Sequence, residues 1–224
     1  MKLMEYADRE MLAMDVANML ASELRAALQQ RDTVTFAVPG GTTPGPVFDS
    51  LCGVKLEWDR VHVILTDERW VPESNDQSNA ALIRGRLLKD QAAAARFTPY
   101  FSAESTIDAV AANLSEKLSD GLPIDVLLLG MGADMHTASL FPGADGLAAA
   151  LAPDAPMFVA LTLPGQPIRR FTLSAPVLQG AMSTHVLITG AQKRQALDQA
   201  ADLPVDQAPI RTVLSEGTFH WSAE

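Results

Sequence analysis

Four short apolar runs limit what this chain can fold into: VTFAV at 34–38, VHVIL at 61–65, IDVLLL at 124–129 and HVLI at 185–188. A strand with one wet face alternates apolar and polar residues, whereas one buried on both faces is apolar almost throughout. Outside these runs the apolar residues recur every three or four positions. Leu12, Val16, Met19, Leu20, Leu24, Ala27 and Leu28 trace one face of a helix over residues 10–30. Further helices are expected at 47–51, at 78–88 with Ser78 or Asn79 near the cap, at 107–118 and at 192–200. Residues 157–163, 170–173 and 219–221 read as additional strands. Buried strands alternating with helices predict an α/β fold: a single-domain, open, Rossmann-like sheet, mostly parallel, with helices on both faces. No linker-like shift or internal repeat interrupts the pattern, so residues 1–224 read as one domain. The alanine-rich stretches 91–95 and 146–152 read as surface helix or loop.

In an open parallel sheet, ligands bind beyond the carboxyl ends of the strands. The four runs end in Pro39-Gly40-Gly41-Thr42-Thr43, in Thr66-Asp67-Glu68-Arg69, in Gly130, Gly132, Asp134 and His136, and in Thr189-Gly190 with Lys193 and Arg194. Parallel packing would bring all four to one edge. The glycine–threonine turn suits a phosphate, because glycine lets backbone N–H groups approach an anion and hydroxyls add donors. It is not a nucleotide P-loop, since the second glycine followed by lysine is missing. Gly130-x-Gly132 is a weak dinucleotide match, with Met135 at the third glycine position.

His136 is the candidate acid–base group, because it follows glycines at a strand end and an imidazole exchanges protons near neutral pH. Asp134 either orients it or caps the next element. His62, His185 and His220 lie within strands and read as structural. Asp67, Glu68 and Arg69 read either as a solvated turn or as part of a site. Lys193 and Arg194 near a helix start oppose the helix dipole and suggest a nearby anion. Ser139 lacks the Gly-x-Ser-x-Gly elbow of a hydrolase nucleophile and reads as capping or packing. An Asp134–His136 metal pair has no further ligands in view, so no metal is expected.

Charge narrows the partners. With 17 basic and 27 acidic residues the net charge is −10, which disfavours nucleic acid and anionic membrane. The one cysteine, Cys52, excludes an internal disulfide and a cysteine-built zinc site. The acidic N-terminal segment is unlike a signal peptide, and no apolar stretch would span a bilayer. The expectation is a cytoplasmic protein, monomeric or a small homo-oligomer, acting on a small molecule without a cofactor.

Five segments, in order and over nearly the whole chain, resemble the 6-phosphogluconolactonase family: VPGGTTP at 38–44, LTDERWVP at 65–72 followed by Ser78-Asn79, GMGADMHTASLFPG at 130–143, RRFTLSAPVL at 169–178 and ITGAQKRQAL at 188–197. The chain departs from the family pattern at Met135, where glycine is usual, and at Pro39, where serine is usual. It also departs in the lead to Arg169-Arg170, of which Arg170 is favoured as ligand-facing. Met135 would be strained if the glycine usual at its position has positive φ. The resemblance implies hydrolysis of 6-phosphogluconolactone, a sugar-phosphate lactone, with His136, Asp67 and Arg69 in the catalytic set. Gly40, Gly41, Thr42, Thr43, Arg170 and Lys193 would hold the phosphate, with Asp134, Gly130 and Gly132 in support. The resemblance disfavours a glucosamine-6-phosphate deaminase, whose family has Asp-Glu-Tyr where this chain has Asp67-Glu68-Arg69. A non-catalytic sugar-phosphate sensor is disfavoured because His136 is present and no helix-turn-helix extension is.

Overall fold

The computed structural model describes residues 1–223. Ten strands and seven α-helices follow the expected alternation. The strands are β1 (Lys2–Tyr6), β2 (Val34–Val38), β3 (Val61–Leu65), β4 (Asp67–Arg69), β5 (Arg96–Phe97), β6 (Val126–Gly130), β7 (Phe158–Leu161), β8 (Arg170–Leu173), β9 (Ser183–Thr189) and β10 (Thr218–Ser222). The helices are α1 (Arg9–Leu28), α2 (Gly45–Leu51), α3 (Asn79–Arg86), α4 (Ile107–Leu118), α5 (Leu147–Leu151), α6 (Ala175–Gln179) and α7 (Ala191–Ala200).

Seven strands form one parallel sheet in the order β1-β10-β9-β6-β2-β3-β5. From β2 the chain steps outward through β3 to β5, then returns to the other side of β2 as β6 and continues through β9. The strand order therefore reverses between β2 and β6, and that switch point is where an open α/β sheet leaves a crevice at its carboxyl edge. The four apolar runs are the four adjacent central strands, β9, β6, β2 and β3. All five residues of β2 are buried, as are the first four of β6. Helix α1 begins where the Asp8 carboxylate accepts the Met11 N–H at 2.8 Å, and it buries Leu12, Val16, Leu20 and Leu24. Each such side chain contributes about 1.5–3 kcal/mol by leaving water.

The residues after β3 correct one expectation. Asp67–Arg69 is a strand rather than a turn. It pairs antiparallel with β8, which pairs antiparallel with β7, in a separate three-stranded sheet. Thr66 joins the two sheets: its N–H donates to Val38 O and its carbonyl accepts from Leu173 N, both at 2.9 Å. The rings of Tyr100, Phe158 and Phe171 pack together beneath the small sheet, and the Tyr100 hydroxyl donates to Leu65 O at 2.6 Å.

β1 is an additional strand that residue patterning did not indicate. It lies at the sheet edge with mixed exposure, and edge strands carry little apolar signal. The alanine-rich stretches are more interior than expected, because Ala92, Leu147 and Ala150 are buried. His185 and His220 are structural, as read: their rings bond Nδ1 to Nε2 at 2.9 Å, with Glu23 beyond one and the Tyr6 hydroxyl beyond the other. His62 bonds Thr98 at 2.8 Å. Among the described residues no helix is long and apolar enough to cross a membrane.

Candidate active site

A cavity of about 250 Å³ opens at the switch point. Every strand end picked out in the sequence contributes to it. Gly40–Thr43 comes from β2, Asp67 and Arg69 from β4 beyond β3, Gly130, Gly132 and His136 from β6, and Lys193 from α7 beyond β9. Arg170 enters from β8. Arg169, next to it, is exposed, because alternation along the strand sends the two side chains to opposite faces. Arg194 also turns from the cavity and pairs with Asp198.

The chain from Gly130 to His136 is a tight loop. Gly132 N–H donates to His136 O and Met135 N–H to Gly132 O, each at 3.0 Å. Met135 has φ 65, a left-handed conformation that L-residues with bulky side chains rarely adopt. The kink sets Asp134 and His136 side by side, with Asp134 Oδ1 2.5 Å from His136 Nδ1. The carboxylate thus fixes the tautomer with Nδ1 protonated. Nε2 then carries the lone pair, and no described residue bonds to it. Burial works to raise the Asp134 pKa, but the bond and charge of His136 outweigh it and the carboxyl ends below its usual value. Gly132 is required by space, since a Cβ there would overlap both partners of the pair. Gly130 has no such neighbour.

On β4 the three charges separate by strand alternation. Glu68 is fully buried on the far side, where it accepts N–H groups from Arg69, Asn79 and Ala80 at 2.7–2.8 Å and so caps α3. Burial raises its pKa and these bonds oppose that. Asp67 accepts the Ser139 hydroxyl at 2.6 Å, which gives Ser139 a role in placing Asp67 rather than as a nucleophile. Arg69 is steered by Asn79, whose Oδ1 accepts from Nη1 at 2.7 Å while its Nδ2 donates to Asp67 O at 2.8 Å. The same Asn79 fills the space where Gly40 lacks a Cβ, and Gly41 turns the loop with φ 86. Asn79, expected near a helix cap and as part of the Ser78-Asn79 that follows LTDERWVP, thus also positions Arg69. Residue patterning does not single out Phe141, whose ring stacks on His136 with centroids 3.9 Å apart.

Three cations and one carboxylate line the cavity. Arg69 and Arg170 are directly opposite one another on β4 and β8. Like charges so placed are destabilising. Burial and the neighbouring Arg69 hold Arg170 below its usual pKa, and burial lowers Lys193, with Asp134 opposing. The Nε atoms of both arginines are buried without a partner. The cavity therefore holds an excess of positive charge within a chain of net charge −10. Among the described residues no cluster of three His, Cys, Asp or Glu could hold a metal.

Known proteins resemble this chain over nearly its whole length. The family described as glucosamine-6-phosphate isomerases/6-phosphogluconolactonase matches residues 7–221. The 6-phosphogluconolactonase of Rhizobium meliloti is 40% identical over 222 residues, covering 94% of each chain. That of Pseudomonas aeruginosa is 38% identical, covering 93% of this chain and 90% of the other. The crystal structure of a 6-phosphogluconolactonase from Shewanella baltica superposes with a TM-score of 0.93 at 34% identity, over 99% of this chain and 97% of that one. With a match along nearly its whole length, the chain belongs to the 6-phosphogluconolactonase family within that superfamily.

Proposed function

We propose that this protein hydrolyses 6-phospho-D-glucono-1,5-lactone to 6-phospho-D-gluconate, the lactone step of the oxidative pentose phosphate pathway, as a cytoplasmic enzyme whose catalytic domain is the whole of residues 1–224. The observation that carries the reading is the Asp134–His136 pair, with Nε2 free, in a cavity with three cations. A lactone is an ester that water can attack directly, so the reaction needs neither metal nor covalent nucleophile.

His136 Nε2 takes a proton from water as the water oxygen bonds to the lactone carbonyl carbon. Asp134 stabilises the imidazolium that forms. General-base assistance of this kind is worth about 10²–10⁴-fold. Arg69, or backbone N–H groups at the cavity, meets the charge that develops on the carbonyl oxygen, worth about 10²–10³-fold. As the tetrahedral intermediate collapses, the ring C–O bond breaks and the imidazolium returns its proton to the departing ring oxygen. Gly40, Gly41, Thr42, Thr43, Arg170 and Lys193 hold the phosphate, and Asp67 orders the site through Ser139 and Asn79.

The test is a coupled assay on freshly generated 6-phosphogluconolactone, corrected for spontaneous hydrolysis, with glucosamine 6-phosphate as comparison substrate. The expected result is lactone turnover, no deamination, and a His136→Ala variant that folds but loses at least about 10²-fold in kcat. Near-normal turnover by that variant would refute the mechanism. Deamination without lactone hydrolysis would refute the function.

A further inference from the structure

The Asp134 hydrogen bond fixes one edge of the His136 imidazole. A second contact restrains it. Phe141 follows His136 by five residues, beyond the left-handed Ala138 at φ 48, which folds the chain back over the imidazole. The two rings stack with planes 25° apart and centroids 3.9 Å apart. The Arg170 guanidinium carbon lies 5.7 Å from the centroid of the same Phe141 ring. An aromatic face carries negative quadrupole charge and attracts cations. The imidazole becomes a cation when it takes the water proton, while Arg170 is one already. Phe141 contacts both.

We propose that Phe141 is a positioning residue for the reaction: its ring holds the His136 imidazole at the angle that presents Nε2 to the water and favours the imidazolium that forms. The proposal rests on the lactonase reading above. Phe141 is partly buried at the margin of the core, so leucine or methionine, which keep apolar volume there, are expected to leave the fold intact. A purely structural role would change the thermal midpoint and leave turnover at saturation unchanged. A positioning role would do the reverse.

The experiment compares Phe141→Leu and Phe141→Met, which remove the ring, with Phe141→Tyr, which keeps it. Three quantities are read: kcat and KM for 6-phosphogluconolactone, the thermal midpoint, and the proton NMR resonance of His136 Cε1–H, assigned by its loss in His136→Ala. The two ring-less variants are expected to lose about tenfold in kcat, with KM within about threefold and the thermal midpoint nearly unchanged. Phe141→Tyr is expected to restore kcat, and the His136 resonance to move downfield only where the ring current is gone. Parental kcat in the Leu and Met variants, or a Tyr variant as slow as they are, overturns the proposal. A parent enzyme inert towards the lactone instead overturns the functional reading. In that case the resonance alone decides whether Phe141 holds the imidazole, and an unmoved resonance means it does not.

Discussion

Gly132→Ala tests whether the Asp134–His136 pair carries the activity. An ideal Cβ at this position would stand 2.2 Å from His136 Nδ1 and 2.3 Å from Asp134 Oδ1. Non-bonded heavy atoms settle at about 3.5–4.0 Å, so the pair must retreat by more than about 1 Å. Displacement on that scale costs about 10²-fold in rate, and full loss of the base costs up to about 10⁴-fold. The backbone of Gly132 does not have the positive φ that alanine would resist, and with His136 29% and Asp134 54% exposed the pair has room to move outward. We therefore expect kcat to fall by about 10²–10³-fold. KM should stay within about threefold because the cations are untouched, and stability should change by less than about 1 kcal/mol. The coupled lactone assay reads the first two and urea unfolding the third. The double variant Gly132→Ala/His136→Ala should be no slower than His136→Ala alone, because both changes remove the same contribution. Multiplicative losses in the double variant, or a Gly132→Ala enzyme with more than about a tenth of parental kcat, would refute the reasoning.

Met135→Gly should relieve about 1 kcal/mol of left-handed strain, lose about 2 kcal/mol of side-chain burial and add about 0.5–1 kcal/mol of unfolded-chain entropy. The net is a destabilisation of about 1.5–2 kcal/mol in urea unfolding, and a more stable variant would contradict it. Arg170→Met keeps the packing but removes the charge facing Arg69, so the ligand-free protein should gain up to about 1 kcal/mol of stability while KM rises at least tenfold. An unchanged KM in both this variant and Lys193→Ala would count against the phosphate assignment. Burial, then the adjacent His185, pushes His220 down to about 3. The unfolded chain therefore binds a proton that the folded chain does not, and stability is fully present above about pH 6.5 and falls from there towards about pH 3, by at most about 1.4 kcal/mol per pH unit. His220→Gln should flatten the acid side of a plot of urea midpoint against pH, and a slope equal to the parent's would show that another group dominates.

What could be read from the sequence followed from how many contacts each element needs to declare itself. The runs at 34–38, 61–65, 124–129 and 185–188 are apolar because both their faces are covered, and that signal is complete within each run. Parallel pairing then forces their ends to one edge, which is how His136, Lys193 and the glycine–threonine turn could be brought together before any coordinates. Asp67–Arg69 could not declare itself as a strand. It has three residues, and its partner β8 lies about a hundred residues further along the chain. Nor can a Gly-x-Gly string say which glycine is needed for space. The crowding at Gly132 and the open space at Gly130 exist only once Asp134 and His136 have folded back.

The Arg69–Arg170 pair shows most clearly how this division follows function. Nothing in the sequence says that the two arginines meet, one lying in a charge run and one in a doublet about a hundred residues on. The strand register makes them directly opposed. Burial deprives both Nε atoms of water, and no carboxylate answers them directly. A sequence selected for stability alone would place an acid or an apolar residue on one side of that pair. The fold instead tolerates the repulsion by anchoring each guanidinium to a neutral amide, Arg69 to Asn79 and Arg170 to Gln166 at 2.9 Å. A neutral anchor fixes direction without cancelling charge, so both cations remain available to an incoming anion. Exchanging either amide for a carboxylate would relieve the repulsion and, by the same step, weaken the attraction that the proposed function asks of this pair for a phosphorylated lactone.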